Sequence, residues 1–381
     1  MKAFYILVSR AADGIGCCRG GRSADKARSF AGRIMPGSPR ESGRRSAGKV
    51  RSTGRRLPVP GRRALPAAVL FLLALLVSPA ARAQFDGIWT QYMFQSGLYN
   101  PGGIALNSDL NVNLSLREQW TSFTNAPSTF ALHVSAPVRT GKRVSGLGLM
   151  MMNESIGLFQ TQLFQLQYAY KTSLWGGQLS AGLQGGILQE NFDSDGIYIP
   201  TSDYHSQHDE AIPDGALDGM IPDFSLGLWY VHGPWYTGLS CSHLLGGTVK
   251  LNEEESTAET DAATLKVSRT IYFTGGYNIQ LKNPLLCLQP SVRVQSDLVA
   301  VQADVAALLT YRRQFWGGLG WRPGSALAVM AGTTFDFGLS VGYSYDISLT
   351  RVDGSHEVFI GYRKKLNTAK VNKYQKSIRI L

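Results

Sequence analysis

Residues that could carry out chemistry are few and widely spaced along this chain. His133 and Ser135 lie two positions apart, so in a strand they would share one face, as a lipid-cleaving Ser/His pair requires. No oxyanion motif accompanies them, and the sequence has no H-E-x-x-H, P-loop or Cys-x-x-Cys motif. The sequence therefore predicts no catalytic residue, no bound cofactor and a protein that is not an enzyme.

A group of potential metal ligands occupies one polar stretch: Asp203, His205, His208, Asp209 and Glu210. These residue types bind zinc, but their spacing lacks the closing pair of a zinc site. Asp193-Ser194-Asp195-Gly196 is similar to the start of a calcium loop, but Tyr204 takes the twelfth position, where a bidentate acid is required. We therefore expect a solvated loop and no metal site.

Alternation with a period of two residues organises the chain after residue 84. Phe337, Leu339, Val341, Tyr343 and Tyr345 alternate with glycine and serine, so one face of this segment is apolar and the other is small or polar. Similar segments of about ten residues recur with turns between them, which is typical of a transmembrane β-barrel. In this register Val341 would face lipid, and Gly342→Ser would be a mild change on the lumenal face.

The alternating segments predict fourteen strands, at 109–119, 128–138, 144–153, 160–171, 177–190, 222–232, 234–244, 267–279, 285–296, 300–312, 315–322, 325–334, 336–347 and 355–363. The expected fold class is all-β, a closed antiparallel transmembrane barrel with both termini periplasmic. The longest connections, 191–221 and 245–266, both follow odd-numbered strands and would both lie outside the cell. We also expect tryptophans at the membrane interfaces, namely Trp120, Trp175, Trp229, Trp235 and Trp316.

The N-terminal part of the chain predicts export. Residues 61–83 hold Arg62 and Arg63, then a short apolar run and an Ala81-Arg82-Ala83 cleavage site, which together indicate a signal peptide in front of Gln84. Residues 1–60 are rich in arginine, glycine and serine and are interpreted as an extended or non-native leader. An uncleaved N-terminal anchor is the alternative.

The leader carries the positive charge of the chain. Residues 1–83 hold 17 Lys+Arg and 3 Asp+Glu, a net of +14, whereas the whole chain is +11, which leaves −3 for the remainder. Binding of nucleic acid is therefore not expected. Cys241 and Cys287 fall in expected strands, where two separate thiols are favoured over a disulfide.

Motifs at both ends of the expected barrel resemble the PorP/SprF family. They are Thr90-Gln91-Tyr92, Asn100-Pro101, Arg117 with Gln119-Trp120, Pro127 after Ala126, and the closing segment GYSYDISLTRVDGSHEVFIGY. The resemblance covers residues 84–363. It implies an outer-membrane barrel of the type IX secretion system, which serves protein secretion and, in some bacteria, gliding motility. It further implies contact with secretion or gliding components, with an exported surface protein and with outer-membrane lipid.

The sequence leaves a second function open, because a fourteen-stranded barrel is wide enough to be a transport pore for small solutes. The family-motif residues are interpreted as structural or interaction residues. Asn100-Pro101 would fix an extended turn before the first strand. Arg117 and Gln119 would point into the lumen, with an acid among the neighbours of Glu118 or Asp304 as the candidate partner of Arg117. Residues 364–381 form a basic tail that would meet an acidic periplasmic surface, or would be a solvated extension.

Overall fold

The computed structural model describes residues 86–107, 109–140, 143–193, 216–253, 263–350 and 353–366. The expected leader, the signal peptide, the candidate metal ligands at 203–210 and all but the start of the basic tail lie outside these residues. Within them, no helix is long and apolar enough to cross a membrane. The short helices are three 3-10 turns, Tyr92–Phe94, Ser96–Leu98 and Pro101–Gly103.

The described residues form seventeen strands, numbered in chain order. They are β1 (Asp109–Glu118), β2 (Ser128–Thr140), β3 (Arg143–Ile156), β4 (Phe159–Leu174), β5 (Gly177–Asp193), β6 (Ala216–His232), β7 (Trp235–Ser242), β8 (Thr248–Glu253), β9 (Ala263–Lys266), β10 (Thr270–Tyr277), β11 (Ile279–Gln280), β12 (Leu286–Ser296), β13 (Val301–Tyr311), β14 (Phe315–Arg322), β15 (Ala326–Thr334), β16 (Leu339–Ser348) and β17 (Ser355–Lys365).

Fourteen of these strands close into an antiparallel barrel. The order runs from β1 through β7 to β10, then β12 to β17, and β17 pairs with β1 over their full length, from Asp109↔Lys365 to Glu118↔His356. The predicted all-β closed barrel of fourteen strands is confirmed, and every expected strand overlaps an observed one. Closure leaves no unpaired edge in the wall, which is a condition for a sheet in lipid.

Several strand boundaries differ from the sequence-based expectation. Strand β6 begins at Ala216 rather than at residue 222, and the β8–β9 hairpin was not predicted. Strand β16 begins at Leu339, because Gly338 has a φ of 101° and closes a tight turn after Phe335. Strand β17 continues to Lys365, so the first two residues assigned to the tail belong to the wall.

Exposure alternates along the wall as the sequence predicts. Val341, Tyr343 and Tyr345 are exposed on the outside of β16, whereas Gly342 and Ser344 are buried on the inside. Leu166 on β4 and Leu319 on β14 are about two-thirds exposed on the same outer surface. An outer surface of this composition suits contact with lipid. The mildness expected for Gly342→Ser is wrong, since a Cβ at Gly342 would overlap Gln91 and Trp316.

The two ends of the barrel differ in their connections. One end, named the short-turn end, carries the start of β1, the end of β17 and brief links such as Trp175-Gly176 and Gly233-Pro234. The other, named the long-loop end, carries the connections 194–215 and 243–269. The β8–β9 hairpin packs there against the inner face of the wall, where Val249 and Leu251 are buried with Leu217.

Candidate functional site: the filled lumen

Residues 86–107, named here the lumenal segment, run through the inside of the barrel before β1 begins. Asp86 lies near the long-loop end, where it contacts His243 and Tyr272. Ile104 and Ala105 pack on Gly146 near the short-turn end. The first described residue is therefore at the end of the barrel opposite to Lys365.

The Asn100-Pro101 pair sets the path of the lumenal segment. Asn100 is extended, with φ −147° and ψ 107°, and its side chain accepts a hydrogen bond from the Gly102 amide at 2.8 Å. Its Nδ2 donates to the Leu228 carbonyl on β6 at 3.1 Å. The predicted extended conformation at Asn100 is observed, and the pair lies deep in the lumen, where it links the segment to the wall.

Glycines in the wall make room for this turn. A Cβ at Gly182 on β5 would overlap the backbone of Pro101 and Gly102, and a Cβ at Gly227 on β6 would overlap Asn100. These two positions are register partners on neighbouring strands. Close approach of two backbones is a common reason for glycine inside a strand.

A continuous chain of ion pairs crosses the inside of the wall. Arg293 on β12 contacts Asp304 on β13 at 2.8 Å, and Asp304 contacts Arg322 on β14 at 2.5 Å. Arg322 reaches Asp346 on β16 at 3.1 Å, across the small side chains that β15 presents to the lumen. Each of these four side chains is at most 8 % exposed, so mutual pairing is what makes their burial tolerable.

The chain of charges ends at the β1–β17 seam. Arg117 on β1 contacts Asp346 at 2.7 Å and its register partner Glu357 on β17 at 3.2 Å. The Glu357 carboxylate also accepts hydrogen bonds from the backbone amides of Thr90 and Gln91, at 2.7 and 2.9 Å. The Thr90 hydroxyl donates to Asp346 and accepts from Arg117. The lumenal segment is thereby fastened where the first and last strands close the barrel.

Aromatic side chains fill the lumen beside this network. The Arg293 guanidinium lies 5.1 Å from the Tyr92 ring and 5.8 Å from the Tyr99 ring, and the Tyr92 hydroxyl bonds Ser291 at 2.9 Å. Phe94 packs on Trp316, with ring centroids 4.6 Å apart.

Two tryptophans expected at membrane interfaces lie inside the barrel instead. Trp316 packs on the lumenal segment, and Trp229 stacks on Tyr236 and is 2 % exposed. The expectation is wrong for these two because they occupy lumen-facing positions of their strands. Trp120, Trp175 and Trp235 are exposed near strand ends, as predicted.

His243 holds the first described residues at the long-loop end. Its Nε2 lies 3.2 Å from Asp86 and its Nδ1 lies 2.9 Å from Asp223. Burial alone would lower the pKa of His243, but the two carboxylates outweigh it and raise the pKa to about 11. Burial likewise opposes ionisation of Asp86, yet the neighbouring imidazolium leaves the pKa of Asp86 below its ordinary value. The pair is charged at neutral pH.

The family-motif residues separate into two groups. Thr90, Gln91, Tyr92, Asn100, Pro101 and Arg117 are buried in the lumen. Thr90, Gln91 and Arg117 meet at Glu357, whereas Asn100 and Pro101 lie against β5 and β6. Gln119, Trp120 and Pro127 form the β1–β2 connection instead, with the Gln119 amide donating to the Pro127 carbonyl at 2.9 Å. β1 ends at Glu118, so Gln119 follows the strand and lies in the connection, half-buried.

The acid suggested for Arg117 is also corrected. Asp304 binds Arg293 and Arg322, and it is joined to Arg117 only through Arg322 and Asp346. The sequence alone did not identify Arg293, Arg322 and Asp346 as members of this chain of charges, and it did not identify Glu357. A usable signal was present, since each is a single charge at a lumen-facing position of an alternating strand, as in SVRVQS and YSYDIS.

The remaining candidates for chemistry are His133, Ser135 and the two cysteines. His133 and Ser135 both face the lumen, and the His133 ring contacts Gln167 at 2.9 Å. Cys241 and Cys287 are free and half-buried in the wall. Among the described residues, no three His, Cys, Asp or Glu side chains are grouped to hold a metal ion.

A small cavity remains beside the lumenal segment at the short-turn end. Its volume is about 80 Å³, and its lining includes Phe94, Asn111, His133, Trp229 and Arg363. By comparison, a single water needs on the order of 10–15 Å³ of such volume. The space suits a few water molecules.

A closed fourteen-stranded barrel with an apolar outer surface and a filled lumen defines the class of this molecule, an outer-membrane-type β-barrel. The chain belongs to a family within that class: residues 81–362 match the model described as type IX secretion system membrane protein PorP/SprF. The resemblance read from the motifs is confirmed, and with it the location in the outer membrane. No curated protein was found to match the sequence.

Several solved barrels are similar. The outer membrane protein Omp33 of Acinetobacter baumannii is 6% identical, with 68% of this chain and 99% of that chain covered and a TM-score of 0.40. The CymD monoaromatic hydrocarbon channel is 12% identical, with 75% and 95% covered and a TM-score of 0.40. The toluene transporter TbuX of Ralstonia pickettii is 12% identical, with 74% and 95% covered and a TM-score of 0.41. Similarity at this level carries no information about function.

Proposed function

We propose that this protein is a plugged, non-enzymatic docking component of type IX secretion, and of gliding motility where the bacterium glides. The observation that supports docking over solute transport is the lumenal segment, which fills the barrel and is held by buried ion pairs and hydrogen bonds. A segment fastened in this way leaves the two rims and the lipid-facing wall as the surfaces available to partners.

The proposed topology places the short-turn end in the periplasm and the long-loop end outside the cell. Support comes from loop length, since outer-membrane barrels have short periplasmic turns and longer extracellular loops. The long-loop end would then present an exported surface protein, while the short-turn end and the basic tail would contact secretion components. In this topology Asp86 lies toward the outer surface.

Planar-bilayer recording tests the plug. The purified native protein is expected to give no steady ohmic current, whereas a constant conductance would favour the transport pore for small solutes. Affinity purification from the outer membrane tests docking, with secretion components expected to co-purify. A tagged barrel that is folded and abundant but brings down none of them would contradict the proposal.

A truncation tests the basic tail. The stop should follow Leu366 rather than Arg363, because β17 extends to Lys365. If the tail docks a partner, the truncated barrel folds and reaches the membrane but loses a co-purifying protein or its exported load. Retention of both would make the tail a solvated extension.

A further inference from the structure

The turn between β13 and β14 has an unusual sequence for its conformation. Arg312 and Arg313 both have positive φ, 52° and 60°, and the Gln314 amide donates to the Tyr311 carbonyl at 3.0 Å. This is the geometry of a type I′ hairpin turn, in which Asn-Gly is preferred because most side chains are strained there. Two adjacent arginines occupy this turn, although Asn and Gly would be less strained there. Such local strain is often associated with a functional site.

A third cation lies on the neighbouring connection. The Arg312 amide donates to the Leu285 carbonyl at 2.8 Å, which places the turn beside residues 281–285 and the exposed Lys282. Among the described residues, no carboxylate is within ion-pair distance of these three side chains. The nearby Asp336 accepts a hydrogen bond from Gln314 instead, at 3.0 Å.

The cluster faces the lipid side of the wall. The Arg312 guanidinium lies 5.3 Å from the centre of the Tyr311 ring, and Tyr311 follows Leu309 on the outer face of β13, where both are exposed. Phe315 is exposed at the start of β14, and Trp175 is 85 % exposed at another turn of the same end. Aromatic side chains in such positions mark the level of the lipid headgroups.

From these observations we infer that Lys282, Arg312 and Arg313 form a binding site for the phosphate headgroup of an anionic phospholipid in the leaflet at the short-turn end. Guanidinium groups bind phosphate oxygens with paired hydrogen bonds, and the Tyr311 ring holds one of them in place. A lipid fits better than an acidic protein because the cluster lies beside lipid-exposed rings. This site is independent of the proposed docking function.

Native mass spectrometry in a neutral detergent tests the site, with phosphatidylglycerol and phosphatidylcholine as probes. The native protein is expected to retain phosphatidylglycerol preferentially. The variant R312N/R313G is expected to bind it about 10- to 30-fold more weakly, because each basic side chain near a charged membrane surface contributes on the order of tenfold or less. This variant keeps a favoured turn, so its heat-modifiable gel mobility should show a folded barrel of equal or higher thermal stability.

The matched control is K364Q/K365Q, which removes two exposed charges from the same end and should leave phosphatidylglycerol binding unchanged. Equal binding by R312N/R313G and native protein would overturn the site. An equal loss in both variants would assign the binding to the rim as a whole and overturn it too. Displacement of the lipid by equimolar inorganic phosphate would point to a free anion. Loss of a co-purifying protein with unchanged lipid binding would assign the cluster to a protein contact.

Discussion

Arg117 is a single buried charge that links the first strand of the barrel, β1, to the last two strands, β16 and β17. It joins Asp346 and Glu357, and both carboxylates also bind Thr90 or Gln91 of the lumenal segment. Buried ion pairs add little net stability over apolar packing, but removing one member leaves the others uncompensated. The network therefore specifies where the lumenal segment lies more than it strengthens the barrel.

Arg117→Met is expected to destabilise the barrel by about 3–5 kcal/mol, because buried Glu357 loses its cation and Asp346 keeps only Arg322. Urea titration followed by heat-modifiable gel mobility measures the change. Lys365→Met, at the exposed end of β17, is the control and should shift stability by less than about 0.5 kcal/mol. Arg117→Met/Glu357→Gln should recover part of the loss. Unfolding of Arg117→Met at the same urea concentration as the native protein would contradict this assignment.

The pair of His243 and Asp86 predicts a pH dependence. His243 faces Asp86 and Asp223, the Glu190 carboxyl is nearby, and the Tyr272 hydroxyl donates a hydrogen bond to Asp86. Its folded pKa is raised to about 11, so its contribution is complete below its unfolded pKa of about 6.5 and is lost as pH rises toward 11. Asp86 has a lowered pKa, so its contribution is present above its unfolded value of about 3.9 and is lost in stronger acid.

His243→Gln should therefore reduce stability most between about pH 4 and 6.5, and the difference from the native protein should shrink toward pH 11. Thermal unfolding of both proteins across this range measures the effect. A difference that stays constant from pH 5 to pH 11 would show that His243 acts through packing and not through its charge.

At the scale of the elements, the wall is shaped to accept the lumenal segment. Gly182→Ala is expected to displace Pro101, because a methyl group there would overlap its backbone. The variant barrel should still close, since its strand pairing is unchanged, but its lumen should open and conduct ions in planar bilayers. Gly317→Ala is the matched control, as its nearest neighbouring atom is 3.7 Å from the added carbon. Silent bilayers with both variants would show that the segment tolerates the methyl group.

The outer face of β16 supports a second prediction at this scale. Val341→Arg should impair assembly by up to about 2–4 kcal/mol, because a charge would face lipid. Val341→Leu is the control. Gly342→Ser would not serve as one, because Gly342 packs against Gln91 and Trp316. Heat-modifiable mobility reports the folded fraction of each variant. Equal folding of the two would mean that Val341 does not contact lipid.

At the scale of the whole molecule, charge differs between the ends of the barrel. The connection 194–215 has five acidic residues and no Lys or Arg, and 243–269 has five acidic residues against three basic ones. The short-turn end instead carries Lys282, Arg312, Arg313 and the beginning of the basic tail. This asymmetry provides distinct surfaces for partners on the two sides of the membrane.

Cysteine labelling tests which side is which. In a Cys241→Ser/Cys287→Ser background, Val299→Cys at the long-loop end should react with a membrane-impermeant maleimide on intact cells. Asn283→Cys at the short-turn end is its control and should react only after the outer membrane is permeabilised. The reverse pattern would invert the proposed topology.

The sequence by itself determined the barrel, its fourteen strands and their faces, because side chains of a lipid-spanning strand must alternate over its whole length. Arg117 could be placed in the lumen on the same ground. Tertiary structure alone decided its partners, because Asp346 and Glu357 lie 229 and 240 residues away and meet it only when β17 pairs with β1. It also decided that residues 86–107 fill the lumen. Their short turns carry no periodic pattern, and only the glycines and charges of distant strands fix where they lie.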